Sequence, residues 1–217
     1  MKANKLLVVL IAAMPALTLG AGSTRSDLQG ATRAKPDIDH GSELFTACVS
    51  CHGGNGGGQE NENTPRIAGQ HYSVLLKQLV DFRHGKRWDF RMEEQADEHH
   101  LETPQDIADV AAYVHQLDFG GSRGIGDGEH ATEGASIFGA RCASCHGASG
   151  QGDASQVVPR LAGQHYSYLV RQMYDAVDGR RPTLQDVHPR KIEPLNFEQV
   201  RAVADYLSRV EWSKTGP

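Results

Sequence analysis

The 217-residue chain repeats itself at a fixed offset of 94 positions, and this duplication restricts its fold more than any other feature. Cys48-Val49-Ser50-Cys51-His52 returns as Cys142-Ala143-Ser144-Cys145-His146, and Pro65-Arg66-Ile67-Ala68-Gly69-Gln70-His71-Tyr72-Ser73 returns as Pro159-Arg160-Leu161-Ala162-Gly163-Gln164-His165-Tyr166-Ser167. From Pro65 to Leu79 against Pro159 to Met173, 10 of 15 positions are identical. Self-similarity over that span marks a duplicated domain rather than a short solenoid repeat. The glycine-rich stretch Gly120 to Gly128 is the natural joint. The expected organisation is a first domain at 36–119, a linker at 120–130 and a second domain at 131–213.

The four cysteines belong to the two C-x-x-C-H units, and that order carries specific chemistry. Two thiols one helical turn apart can add across the two vinyl groups of a porphyrin, and the imidazole that follows reaches the iron from the same side. The unit therefore predicts covalent haem, and two units predict two haem c groups held by Cys48, Cys51, Cys142 and Cys145, with His52 and His146 on the irons. A zinc site would need a second ligand pair near each unit, which neither half supplies. A thioredoxin-like dithiol would need a strand-turn-helix context, also missing. Paired disulfides would suit an oxidising compartment, but the identical short spacing argues against them.

Small domains with thin cores need a staple, and aromatic residues make up only 6% of this chain. A covalent haem is a large flat apolar body for short helices to pack around. Residues 1–22 read as a cleaved signal peptide: Lys2 and Lys5 start it, Leu6 to Leu19 is almost wholly apolar, and Gly20, Ala21 and Gly22 follow. The rival reading, a retained anchor, would require roughly 20 apolar residues to cross a bilayer. Either reading places the folded part outside the cytoplasm, in the periplasm. Removing Lys2 and Lys5 leaves 20 basic against 27 acidic residues, a formal net charge of −7. That balance excludes a nucleic-acid partner, which needs a concentrated basic face.

Helical periodicity dominates both halves, so the fold class is all-α, with about three helices per domain. A helix bearing Leu44 and Phe45 leads into the first cysteines, and Ile137 and Phe138 do the same in the second half. A middle helix is expected from about His71 to His84, stopped at Gly85, with a twin from about His165 to Asp178, stopped at Gly179. The last helices open on recognisable caps: Thr103 with Pro104 and Asp106, and Asn196 with Gln199. His71 and His165 read as capping or packing groups. Arg66, Arg160, Arg87 and Arg181 are candidates to neutralise haem propionates, because guanidinium recognises carboxylate bidentately.

With these motifs in hand, the chain resembles the di-haem class I cytochromes c of the c4 type. The likeness covers nearly everything after residue 36 and rests on both C-x-x-C-H units, both Pro-Arg-x-Ala-Gly-Gln-His-Tyr elements, the Gly85-Lys86-Arg87 and Gly179-Arg180-Arg181 helix ends, and the capped final helices. The resemblance implies two tandem cytochrome c-like helical domains, each built around one covalent haem. It implies that the carbonyls of Pro65 and Pro159 orient the axial histidines, and that a methionine before the last helix is the second ligand. Met92 stands there in the first domain, with His84, His99 and His100 as rivals. The second domain departs from the pattern: its one methionine, Met173, falls inside the middle helix, where a core role is expected. His188 is the residue its loop offers instead, which suggests a His146/His188 pair, with an open iron or ligation by Met173 as the alternatives.

Methionine ligation raises haem potential relative to two nitrogens, so haem 1 is expected to be the higher-potential centre. The expected function is electron transfer between redox partner proteins, a dehydrogenase on one side and an oxidase or reductase on the other. The donor would be respiratory or sulfur-oxidising. Membrane association would come through those partners, and the oligomeric state stays open. The alternatives are a haem enzyme acting on thiosulfate or peroxide at haem 2, or the dedicated electron-accepting subunit of such an oxidoreductase.

Overall fold

The computed structural model describes residues 23–118, 124–186 and 188–211 of the chain. The expected signal peptide, 1–22, and part of the expected linker, 120–123, lie outside the described residues. The first half contains α1 (Thr24–Arg33), α2 (Ile38–Phe45), a 3₁₀ turn (Thr46–Cys48) running into α3 (Val49–His52), then α4 (Tyr72–Arg83), α5 (Phe90–Gln95) and α6 (Pro104–Gln116). The second half contains α7 (Ala131–Arg141), α8 (Ala143–His146), α9 (Tyr166–Val177), α10 (His188–Ile192) and α11 (Phe197–Arg209). No strand occurs among the described residues. The nearest approach is a pair of isolated bridges, Gln59 with Thr64 and Asp153 with Val158, at equivalent places in the loops after the cysteines.

Local chemistry sets the helix ends. Thr103 and Asn196 each form a complete capping box, with Asp106 and Gln199 respectively. Gly85 and Gly179 follow the ends of α4 and α9 at φ +60° and +80°, the left-handed conformation in which glycine carries no Cβ penalty. The middle helices therefore occupy the spans expected from periodicity to within a residue at each end.

Each domain is held by the helix that leads into its cysteines crossing its last helix. α2 lies on α6 and α7 on α11, with glycines at the crossings. A Cβ on Gly41 would sit 2.1 Å from the Asp109 carbonyl oxygen, and one on Gly134 would sit 1.9 Å from that of Ala202. Beside these crossings Phe45 packs against Tyr113 and Phe138 against Tyr206, with ring centroids 5.4 and 5.6 Å apart. In the first core Phe45, Ile107, Val80 and Val110 are buried together; in the second, Phe138, Leu169, Val203 and Leu207. Met173 packs into the second core and into the neighbouring cluster around Ile192 and Val200. A core position for Met173 follows from that packing.

Helix α1 lies upstream of residue 36 and was not anticipated, because the repeat provides no counterpart for it. It buries Ala31 against the first domain, and its buried Asp27 receives Arg83 at 3.3 Å and His84 at 2.9 Å from the end of α4. The described end of the linker is fastened rather than free. Gly126 and Gly128 donate their N–H groups to Ser208 Oγ and Asp205 Oδ2 on α11.

The two halves meet through their repeated segments, related by a pseudo-two-fold operation. His71 Nε2 lies 2.8 Å from the Gln151 carbonyl, and its twin His165 lies 2.8 Å from that of Gly57, the position equivalent to Gln151. Ser73 donates to the Ala154 carbonyl and Ser167 to that of Glu60, another equivalent pair. Gln70 and Gln164 reach across in the same reciprocal way. An isologous contact of this kind makes each of these bonds twice. His71 and His165 do stand at helix N-caps, but their side chains make no capping bond and serve the interface instead.

Candidate functional site

Helix α3 presents His52 from the last position of its C-x-x-C-H unit. The ring is 5% exposed, and Nδ1 lies 3.0 Å from the Pro65 carbonyl oxygen. A carbonyl can only accept, so Nδ1 carries the hydrogen and Nε2 keeps a lone pair, the arrangement of a metal-binding imidazole. His146 repeats it, with Nδ1 3.1 Å from the Pro159 carbonyl. Burial pushes the pKa of both rings down, which holds them neutral and able to bind a metal.

The thiols do not have the character of a redox dithiol. Burial, then the neighbouring Cys51, pushes Cys48 up to about 11, and burial also raises Cys142, whereas a reactive thiolate needs a lowered value. No disulfide joins any of the four cysteines.

In front of His52 opens a cavity of about 350 Å³, with a mainly apolar wall that includes Leu75, Leu79, Phe82 and Val110. Met92, on α5, lines the same cavity, as do Cys48 and Cys51. The rival first-domain ligands are engaged elsewhere or exposed: His84 is bound to Asp27, and His99 and His100 lie on the surface beside Asp97.

In the second domain α10 starts at His188 and brings its ring opposite His146. The centroids are 6.2 Å apart and the planes stand at 69°. A metal held by both rings through bonds of about 2 Å would require centroids roughly 6 Å apart, so His146 and His188 are spaced to share one. Burial, then His146 and Arg181, pushes His188 down to about 4, so it too is neutral at ordinary pH.

The arginines gather at the domain boundary. Arg66, Arg87, Arg160 and Arg181 all line the first-domain cavity, although two of them come from the second domain. Arg87 stacks over Phe82 at 4.5 Å and bonds to Gln78, Tyr168 and Gln172. Arg181 is bonded to Gln172 at 3.2 Å, its buried Nε has no hydrogen-bond partner among the described residues, and burial pulls its pKa down to about 9. A buried guanidinium with an unused donor is costly by itself and fits a site that receives carboxylates, as haem propionates would. The apolar wall, the free Nε2 lone pair of His52, the paired thiols and these cations together fit a porphyrin in the first half, and the second half repeats the thiol pair and the proline-held histidine.

Pattern reasoning did not foresee the interdomain role of Gln70, Gln164, His71 and His165. The available signal was their identity in both repeats, at positions that neither the core nor the haem attachment explains.

The Cytochrome c family profile matches residues 38–118 and again 131–211. The chain is 32% identical to cytochrome c4 of Pseudomonas aeruginosa over 214 residues, covering 94% of this chain and 98% of that protein. It is 31% identical to the thiosulfate dehydrogenase electron acceptor of Stutzerimonas stutzeri, over 78% of this chain and 82% of the other. Its fold is similar to the crystal structure of reduced recombinant cytochrome c4 from Pseudomonas stutzeri, with a TM-score of 0.73, 27% identity, and coverage of 82% of this chain and 100% of that one. Two family matches on one chain, each containing its own C-x-x-C-H unit, place it as a carrier of electrons on two covalent haem c groups, and the chain belongs to the cytochrome c family as a di-haem member of the cytochrome c4 type.

Proposed function

We propose that this chain passes electrons in the periplasm between a respiratory or sulfur-oxidising donor and a terminal acceptor, with both irons closed to substrate. Haem iron supplies a one-electron couple whose potential follows its axial ligands. Haem 1 is held by Cys48 and Cys51 and ligated by His52 and Met92. Haem 2 is held by Cys142 and Cys145 and ligated by His146 and His188. Pro65 and Pro159 fix the two proximal rings, and the four arginines receive propionates. The domains act as units of about 36–119 and 131–213.

The observation that carries this reading is the 6.2 Å opposition of His146 and His188, which supports a second haem with ligands on both faces despite the missing methionine. Electron transfer needs no substrate on iron, so six-coordinate centres favour a carrier over an oxidoreductase. Export is supported by the character of residues 1–22, and no helix among the described residues is long and apolar enough to cross a membrane. Magnetic circular dichroism of the ferric holoprotein tests the ligation: two low-spin haems, one His/Met and one His/His, are expected. A high-spin second haem, or turnover with thiosulfate or peroxide, would replace the carrier by a haem enzyme.

A narrower version is favoured by the likeness to a thiosulfate dehydrogenase electron acceptor. In it the chain takes electrons from one sulfur-oxidising enzyme. Fast reduction by such an enzyme with thiosulfate, and slow reduction by unrelated dehydrogenases, would establish it.

A further inference from the structure

The two interface glutamines hold more than the domains. Gln164 accepts the Arg66 N–H at 2.9 Å and donates to the Arg66 carbonyl at 2.8 Å, while Gln70 accepts the Arg160 N–H at 2.9 Å and donates to the Arg160 carbonyl at 3.0 Å. Each amide thereby fixes both polar groups of one residue on the opposite domain, and Gln164 is itself buried. The residues so clamped are not arbitrary. Arg66 follows Pro65, whose carbonyl receives the His52 Nδ1–H, and Arg160 follows Pro159, which does the same for His146. The Arg66 N–H belongs to the same peptide plane as the Pro65 carbonyl, so anchoring one fixes the direction of the other.

We propose that Gln70 and Gln164 are positioning residues acting in trans: Gln164, in the second domain, sets the orientation and basicity of His52 on haem 1, and Gln70, in the first, does so for His146 on haem 2. The chain of contacts is short, from amide to peptide plane to proline carbonyl to imidazole, and each glutamine oxygen is itself steadied by the N–H of the histidine that follows it. Groups that orient a metal-bound histidine alter its affinity for metal by about 10–100-fold when removed. These glutamines act one peptide further out and hold the acceptor itself in place. The second amide bond, to the arginine carbonyl, stops the peptide plane from rotating about the first. A movement of one domain against the other is thus delivered to the histidine of the partner haem. The proposal rests on His52 and His146 being the proximal ligands.

The test uses the full-length holoprotein and paramagnetic NMR, which reports the hyperfine-shifted resonances of each haem separately, together with a redox titration. Gln164→Leu is expected to shift the haem 1 resonances and midpoint while those of haem 2 stay in place, and Gln70→Leu to do the reverse. Gln164→Glu keeps an oxygen for the Arg66 N–H and loses the donor, so it should move the same haem by less. It also covers the case in which the leucine variant yields no holoprotein. Shifts confined to the haem of the mutated domain, equal shifts at both haems, or no shift at either would each overturn the proposal. His52→Ala separates the underlying assumption: if that variant leaves the haem 1 spectrum intact, the ligand reading has failed, whereas a changed spectrum combined with inert glutamine variants sinks only the trans coupling.

Discussion

Arg87 and Arg181 meet across the domain boundary on a single acceptor, the side-chain oxygen of Gln172, at 2.7 and 3.2 Å. Neither forms a salt bridge among the described residues. Two like charges brought together in a buried place favour the addition of negative charge, which haem propionates would supply. A positive charge near a haem also disfavours its oxidised form. Arg181→Gln should therefore lower the midpoint potential of the nearer haem by an amount on the order of 1 kcal/mol per electron. Spectroelectrochemistry of the variant against the parent measures this, and an unchanged or raised potential would remove Arg181 from the propionate site.

The two haems should titrate separately, haem 1 at the higher potential, because thioether ligation favours ferrous iron relative to a second imidazole. Met92→Ala should abolish the methionine-to-iron charge-transfer absorption and lower the potential of haem 1. His188→Ala should leave that absorption intact and convert haem 2 to a high-spin centre that binds carbon monoxide when reduced. If His188→Ala has no spectroscopic effect, the histidine-pair assignment falls.

Gly41 and Gly134 lie where the helix before the cysteines crosses the last helix, and a methyl group at either would collide with backbone rather than with a side chain that could move aside. Gly41→Ala and Gly134→Ala should each destabilise the holoprotein by about 1–3 kcal/mol, the usual range for overpacking. Denaturant midpoints with an unchanged m-value would confirm it. Gly139→Ala, whose Cβ would meet nothing within 4 Å, is the control and should be neutral or slightly stabilising.

His40 on α2 lies 2.9 Å from Asp109 on α6, and that hydrogen bond raises its pKa above 6.5. A group whose folded pKa is raised contributes stability that is complete below the unfolded value and is lost as pH climbs through the folded value. The α2–α6 crossing should therefore loosen as pH rises above about 6.5, the unfolded value. Thermal midpoints of the parent should fall over that window by more than those of His40→Gln. Parallel curves for the two proteins would show that the pair contributes nothing to stability.

Much of this organisation could be read from residue order alone. The haem attachment is legible because its chemistry is local: two thiols and an imidazole must lie within five residues. Helix boundaries at Thr103, Asn196, Gly85 and Gly179 are legible because capping and left-handed conformations involve only near neighbours. Met173 could be assigned to the core from its place on the middle helix, and its packing agrees. Helix α1 escaped notice because it has no twin in the second half. Its anchor, Asp27 to Arg83 and His84, spans more than fifty residues.

Two domains, their helical character and the two places where porphyrin is tethered all follow from short-range patterns of residues written twice. That the repeated Gln-His-Tyr-Ser segments face each other, so that Gln164 clamps Arg66 and His165 reaches Gly57, emerges from the folded chain alone. A duplicated motif is consistent with two independent sites or with one shared boundary. The choice depends on how two folded surfaces fit, a relation between residues about a hundred positions apart that no local spacing records.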